Sequence, residues 1–327
     1  MRVTVTVKTD DHGDALNLTT KALPSAATAT SQDVLCARSV AKTDDDSILT
    51  NLKAASSGIN GNRSGLFDVV TFGADPSGAQ PSDLAINAAI AEINSRGGQA
   101  TLFFPAGRYQ VLAPLTPLAG NDITVLGYGS HIEWMSKIHY QSCLSFGPIS
   151  THAVALRGDV LQGDDHINLT AAAAVVVNPH TLLRLNSSEV FYHHDCCSMR
   201  NNKKGELLVF GSVVPSPGGA GHVQAFIYGK GPLFGYSAAN TTATAIVPSR
   251  NIKVLGLGLT GRGASFENTA LAFSGCEGLL VSGVRLDALD AGIAIGSCKT
   301  VTVSDNSFSD INKVGLGCEW AFPCDSL

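Results

Sequence analysis

Asn268, Asp290 and Asn312 recur at a spacing of 22 residues, with Glu267 and Asp287 close by and Asp310 one residue out of step with Asp287. Carboxylates held at fixed separations can do general acid–base work on the bond between two sugars. Retention of configuration wants them ~5–5.5 Å apart and inversion ~6.5–9.5 Å. Elimination instead asks for a base near an acidic carbon and a cation that neutralises the adjoining acid group. Asp287, Asp290, Asp310 and Glu267 are therefore the candidate catalytic set. Arg285 can meet a carboxylate or sulfate, and Asn268 and Asn312 can hydrogen-bond a bound chain. Columns of Asn and Asp also satisfy backbone groups at solenoid turns, and the sequence leaves both readings open.

Other polar clusters carry weaker signals. Asp164, Asp165 and His166 follow Gly163 and precede an alternating strand, so they read first as turn formers. His193, His194 and Asp195 precede the vicinal pair Cys196 and Cys197, a polar loop in which a zinc site is conceivable. The eight cysteines show neither a CxxC pair nor a metal-type spacing, which favours buried or loop thiols in a chain made in a reducing compartment. Trp134 and Trp320 suit either sugar stacking or packing.

The elements that must position these residues are short strands. From residue 251 a repeat can be aligned: Ile252, Leu279 and Val301 stack, as do Val254, Val281 and Val303. Leu257, Val284 and Asn306 form a third column and Leu259, Leu286 and Phe308 a fourth. Leu271 pairs with Ile293, and Cys276 with Cys298. A period near 22 residues with alternating inward side chains means one coil per repeat, each strand hydrogen-bonded to the next coil about 4.8 Å away. The phrase NDITVLGYGSHIEWM at 121–135 echoes NIKVLGLGL at 251–259. Upstream, Pro81-Ser82-Asp83 open a helix whose Ile86, Ala89, Ile90 and Ile93 share one face, and Gly97-Gly98 stop it. Such a helix covers the apolar end that a first coil would otherwise expose.

FGADPSG, an Ala/Ile-rich helix and LFFPAGRY together resemble the N-terminal cap and first coil of the pectate-lyase superfamily. Pro81-Ser82-Asp83 stands where the family usually has an acidic pair. Residues 152–250 resemble a β-rich insertion of phage tailspikes, Gly205-Glu206 leading its alternating strand. The resemblance spans about 66–317 and implies an all-β, right-handed parallel β-helix with a capping helix and an insertion. It implies a tailspike-like depolymerase of capsular or cell-wall glycan, either a hydrolase or a lyase. Two alternatives stand beside it: a virion spike that grips glycan without cutting, and a bacterial pectin-type lyase or epimerase. The implied partners are a polysaccharide substrate, two further copies in a homotrimer and other virion tail proteins. No cofactor is implied, except a divalent cation such as calcium if the reaction is an elimination. After Gly317 the family continues with a Tyr-Gly strand and another coil, whereas this chain ends at Leu327; a partner covers the last coil or the chain is shortened.

Composition bounds the rest. With 327 residues, 44% hydrophobic, 15% charged and 34 glycines, the chain folds and turns often. A formal charge of −5 without a Lys/Arg run argues against nucleic acid as a partner. No stretch reaches the ~18 apolar residues of a membrane span. Met1 to Val7 alternates like a strand, so no signal peptide is expected and the location is a virion tail or outside the cell. Residues 1–64, rich in Thr, Ala, Ser and Asp, read as an attachment or oligomerisation segment. A helix is expected from Asp44 through Leu52 and a linker over SSGINGNRSG, and 65–327 form the β-helix unit.

Overall fold

A computed structural model describes residues 65–190, 203–216, 222–229, 231–261 and 268–319, together with the backbone of 3–8 and 17–22. The helix expected near 44–52, the His193–Cys197 cluster, Glu267 and Trp320 lie outside the described residues.

The chain winds in coils that lay short strands on three faces, the third of which begins with the coil of residues 121–146. β3 (Leu66–Asp68) and β4 (Ser77–Pro81) lead into α1 (Asp83–Ser95), then β5 (Gly98–Phe103) and β6 (Gly107–Val111). The next coil holds β7 (Asn121–Leu126), β8 (Ser130–Trp134) and β9 (Ser142–Phe146). After an insertion come β16 (Ser249–Leu255), β17 (Gly258–Thr260) and β18 (Thr269–Ser274), then β19 (Cys276–Ser282) and β20 (Arg285–Gly296). The last coil holds β21 (Lys299–Ser304) and β22 (Ser307–Glu319).

Face one runs β3-β5-β7-β16-β19-β21, all parallel. Face two runs β4-β6-β8-β17-β20-β22, and the later halves of β20 and β22 bend onto face three beside β18 and β9. This is the right-handed parallel β-helix that the resemblance implies.

The expected columns hold. Val254 pairs with Val281 and Val281 with Val303, and all three are buried. Leu259, Leu286 and Phe308 are successive partners on face two. Asn306 ends its apolar column as a buried amide, accepting from the Val284 amide at 2.8 Å and donating to the Val281 carbonyl at 3.0 Å. Those two bonds let a polar side chain sit in the core. Cys276 and Cys298 are stacked there as free thiols, and Trp134 is fully buried, so its ring packs rather than stacks on a ligand.

Corners repeat with the coils. Gly256, Gly283 and Asp305 turn at φ of 69°, 68° and 57°, and Ala288 and Asp310 at 51° and 48°. Gly, Asp and Asn tolerate this left-handed region best. Asp310, exposed at such a corner, is thereby partly explained by backbone geometry.

α1 buries Ile86, Ala89, Ile90 and Ile93 against the first coils. Asp83 at its start accepts the amides of Leu112 and Ala113 at 2.6 and 2.8 Å, tying cap to coil in place of an acidic pair. In the FGADPSG turn, Asp75 accepts amides from Ser77, Ala79 and Gln80 and the Ser77 hydroxyl. Those bonds, the Ser77 hydroxyl first, hold its carboxyl below the usual aspartate value.

Between coils, β10 (Ser150–Val154), β11 (His166–Thr170), β12 (Leu182–Val190), β13 (Lys203–Pro215), β14 (His222–Ile227) and β15 (Thr241–Val247) form an antiparallel sheet with its own core. Glu206 is buried in it, accepting the Leu233 and Phe234 amides at 2.9 and 3.4 Å. Its desolvation raises the carboxyl above the usual glutamate value despite those bonds. Asp164 accepts the Leu161 amide and Asp165 pairs with the His166 ring, both local turn contacts. At the far edge of face one, β1 (Val3–Lys8) pairs antiparallel with β21 and with β2 (Asn17–Ala22). No helix among the described residues is long and apolar enough to cross a membrane.

Candidate active site

Face two sends alternate side chains outward, and register turns them into two columns. Arg108, His131, Gly258, Arg285 and Ser307 are successive partners in one. Gln110, Glu133, Thr260, Asp287 and Ser309 are successive partners in the other. Glu133 and Asp287 thus stand two rungs apart with Thr260 between, about 9.6 Å from Cα to Cα at the usual parallel spacing.

Glu133 is only 7% exposed although its strand neighbours Ile132 and Trp134 point inward. It is ion-paired with Arg108, whose side chain is mostly exposed. Thr260 beside it is buried as well. Asp287 is half-buried and accepts the Ser309 hydroxyl at 2.5 Å. Arg285, one outward position before Asp287, is exposed, and its side chain makes no ion pair or hydrogen bond among the described residues.

The residues expected from sequence fall into separate groups. Asp287 and Arg285 lie side by side on the outer surface of face two. Asp290 lies past the Ala288 corner, 8% exposed, and accepts from Asn312 Nδ2 at 2.9 Å. Asn268 is 2% exposed, and its Oδ1 accepts the Gln141 amide at 3.1 Å while its buried Nδ2 has no partner among the described residues. Ala291 N donates to the Asn268 carbonyl, so the 22-residue column runs along the corner between faces two and three. Asp310 stands opposite Ala288 at that corner, since the partner of Asp287 is Ser309. Replacing Asp290 by Ala should cost about 1–3 kcal/mol of stability, because a charged acceptor leaves a largely buried network. A denaturant midpoint unchanged from the parent would exclude a bracing role.

Glu133, Arg108, His131 and Thr260 went unmarked in the sequence. The signal was present, since VLGYGSHIE and VLGLGLT are the same phrase. The turn of the earlier coil, 127–130 against 256–257, is two residues longer and hides the alignment of Glu133 with Thr260.

Comparison with known proteins bears on this architecture. A family model described as rhamnogalacturonase A/epimerase, pectate lyase-like, matches residues 66–141. Alpha-1,3-galactosidase A of Peterkaempfera griseoplana is 46% identical over 52 residues, 16% of this chain and 7% of that protein. The tailspike of Pseudomonas phage phi297 superposes with a TM-score of 0.54 at 14% identity, covering 80% of this chain and 50% of that one. The tailspike of Pseudomonas phage LKA1 gives 0.51 at 14% identity with the same coverages. At such identities the likeness is one of fold, and the chain spans about half the length of the tailspikes it matches.

Proposed function

We propose that this chain, a parallel β-helix whose residues 66–141 match a pectate lyase-like family model, binds an extended polysaccharide along the outer surface of face two and cleaves it between Glu133 and Asp287. One observation carries this reading: two carboxylates in one outward column, two rungs apart. On this reading one carboxyl protonates the leaving oxygen and the other activates a water on the opposite side of the ring, which displaces the sugar directly. Arg285 would hold the chain beside the pair. Asp290, Asn268 and Asn312 are assigned to bracing the corner that carries Asp287, and Asp310 to the corner's backbone. The partial match to a rhamnogalacturonase/epimerase model supports a glycan as the target, as does the fold shared with two phage tailspikes.

A second reading, a spike that grips glycan without cutting it, is favoured by the engagement of Glu133 in its ion pair with Arg108. Incubation of the purified protein with a panel of capsular polysaccharides separates the two. New reducing ends mark hydrolysis, ultraviolet-absorbing unsaturated ends mark elimination, and retention without either marks binding alone. The same reading places the protein on a virion tail or outside the cell as a homotrimer. Light scattering that returned a stable monomer would remove the trimer.

A further inference from the structure

The last coil ends differently on its different faces. Val301 and Val303 are inward residues of β21, the last parallel strand of face one, and each is 3% exposed. Their counterparts in β22 are Phe308, Ile311 and Leu316, partners of the buried Leu286, Leu289 and Ile293. These three are only partly buried, and Val314 is 46% exposed. No strand lies beyond β22 among the described residues. A terminal rung has no neighbour to cover its apolar residues, so β22 is an open end. β21 is a covered one.

What lies beyond β21 is β1, from the other end of the chain. It pairs with β21 antiparallel, whereas the pairs within face one are parallel. Val5 is the partner of Val303. That register position ends a column of successive partners, Phe67, Leu102, Val125, Val254, Val281 and Val303, all buried. Val3, Val5 and Val7 alternate with Thr4 and Thr6, the pattern of a strand with one apolar face, which the end of an apolar column requires. β2, whose sequence NLTTKA is mostly polar, then takes the outer edge of β1. β1 shares six partner pairs with β2 and one with β21, so the hairpin is a unit of its own, lightly joined to the face.

We propose that the N-terminal hairpin β1–β2 is a detachable cap that guards the last rung of face one from a second copy of this chain. Without it, β21 presents unpaired backbone groups over an apolar column, and such an edge pairs with another strand. The partner that fits is the same bare end of another copy, β21 against β21 across a two-fold axis, because this edge already takes an antiparallel strand.

Hydrogen exchange and sedimentation velocity on the full chain test the cap. Val5→Asp puts a charge at the register position that ends the apolar column, and Thr19→Asp on β2 is the control. In Val5→Asp the amides of 299–304 should exchange about tenfold or more faster than in the parent, while those of 121–126 keep the parent's rate. A species of about twice the parent's mass should then grow with concentration. Thr19→Asp should change neither, and removal of residues 1–22 should produce both changes more fully. Unchanged exchange at 299–304 in Val5→Asp and in the shortened chain would overturn the cap. Equal acceleration at 121–126 would make the hairpin a support of the whole solenoid and overturn it as well. Faster exchange at 299–304 with no added association would remove the guarding role and overturn the proposal.

Discussion

Glu133→Gln and Asp287→Asn should each lower the rate of glycan cleavage by about 10²–10⁴-fold, the usual contribution of a positioned acid or base. Both substitutions keep shape and hydrogen-bonding capacity while removing the ability to carry the proton. The amide introduced at position 133 can still meet Arg108, and the amide introduced at position 287 can still accept from Ser309. Folding should therefore change by less than about 1 kcal/mol. On the proposed mechanism the two carboxyls would act on one bond from opposite sides, so the double variant should be little worse than the poorer single one. Reducing-end assays on whichever capsular polysaccharide is cut provide the rates, and denaturant midpoints provide the control. A variant that keeps its rate within a few-fold of the parent removes its residue from the reaction. The Asp290→Ala protein supplies the contrast, with lower stability and cleavage close to the parent's.

Leu286→Ala carries the largest expected cost in stability. Leu286 is 1% exposed and stacked between Leu259 and Phe308 in consecutive coils. Truncation leaves a cavity that the parallel backbone on either side cannot close without losing hydrogen bonds, and such changes cost about 2–5 kcal/mol. Leu286 also flanks Arg285 and Asp287 on β20, so the loss should extend to the site as weaker glycan retention. Guanidinium unfolding followed by circular dichroism measures the first effect. A loss below about 1 kcal/mol would mean that the column is loosely packed there, against the density normal for interiors.

Sequence alone carried the coil, because an inward column is a local pattern repeated. Val254, Val281 and Val303 must face the core whatever happens elsewhere, since burial of apolar area is not directional and the strand period is two. The capping helix was legible for the same reason, from Ile86, Ala89, Ile90 and Ile93. So was the corner column of Asn268, Asp290 and Asn312, whose 22-residue spacing is the coil length itself. Its chemistry was not legible. Asp287, Asp290 and Asp310 are near one another in sequence and register, but a left-handed residue at Ala288 turns the chain between Asp287 and Asp290. Only the folded corner decides that one carboxylate faces out and the other lies in a hydrogen-bonded ladder. Glu133 shows the converse: 154 residues from Asp287 with an insertion between, it meets that column through backbone pairing of β8 with β17 and of β17 with β20. Hydrogen bonds between distant strands set that neighbourhood, and no local period records it.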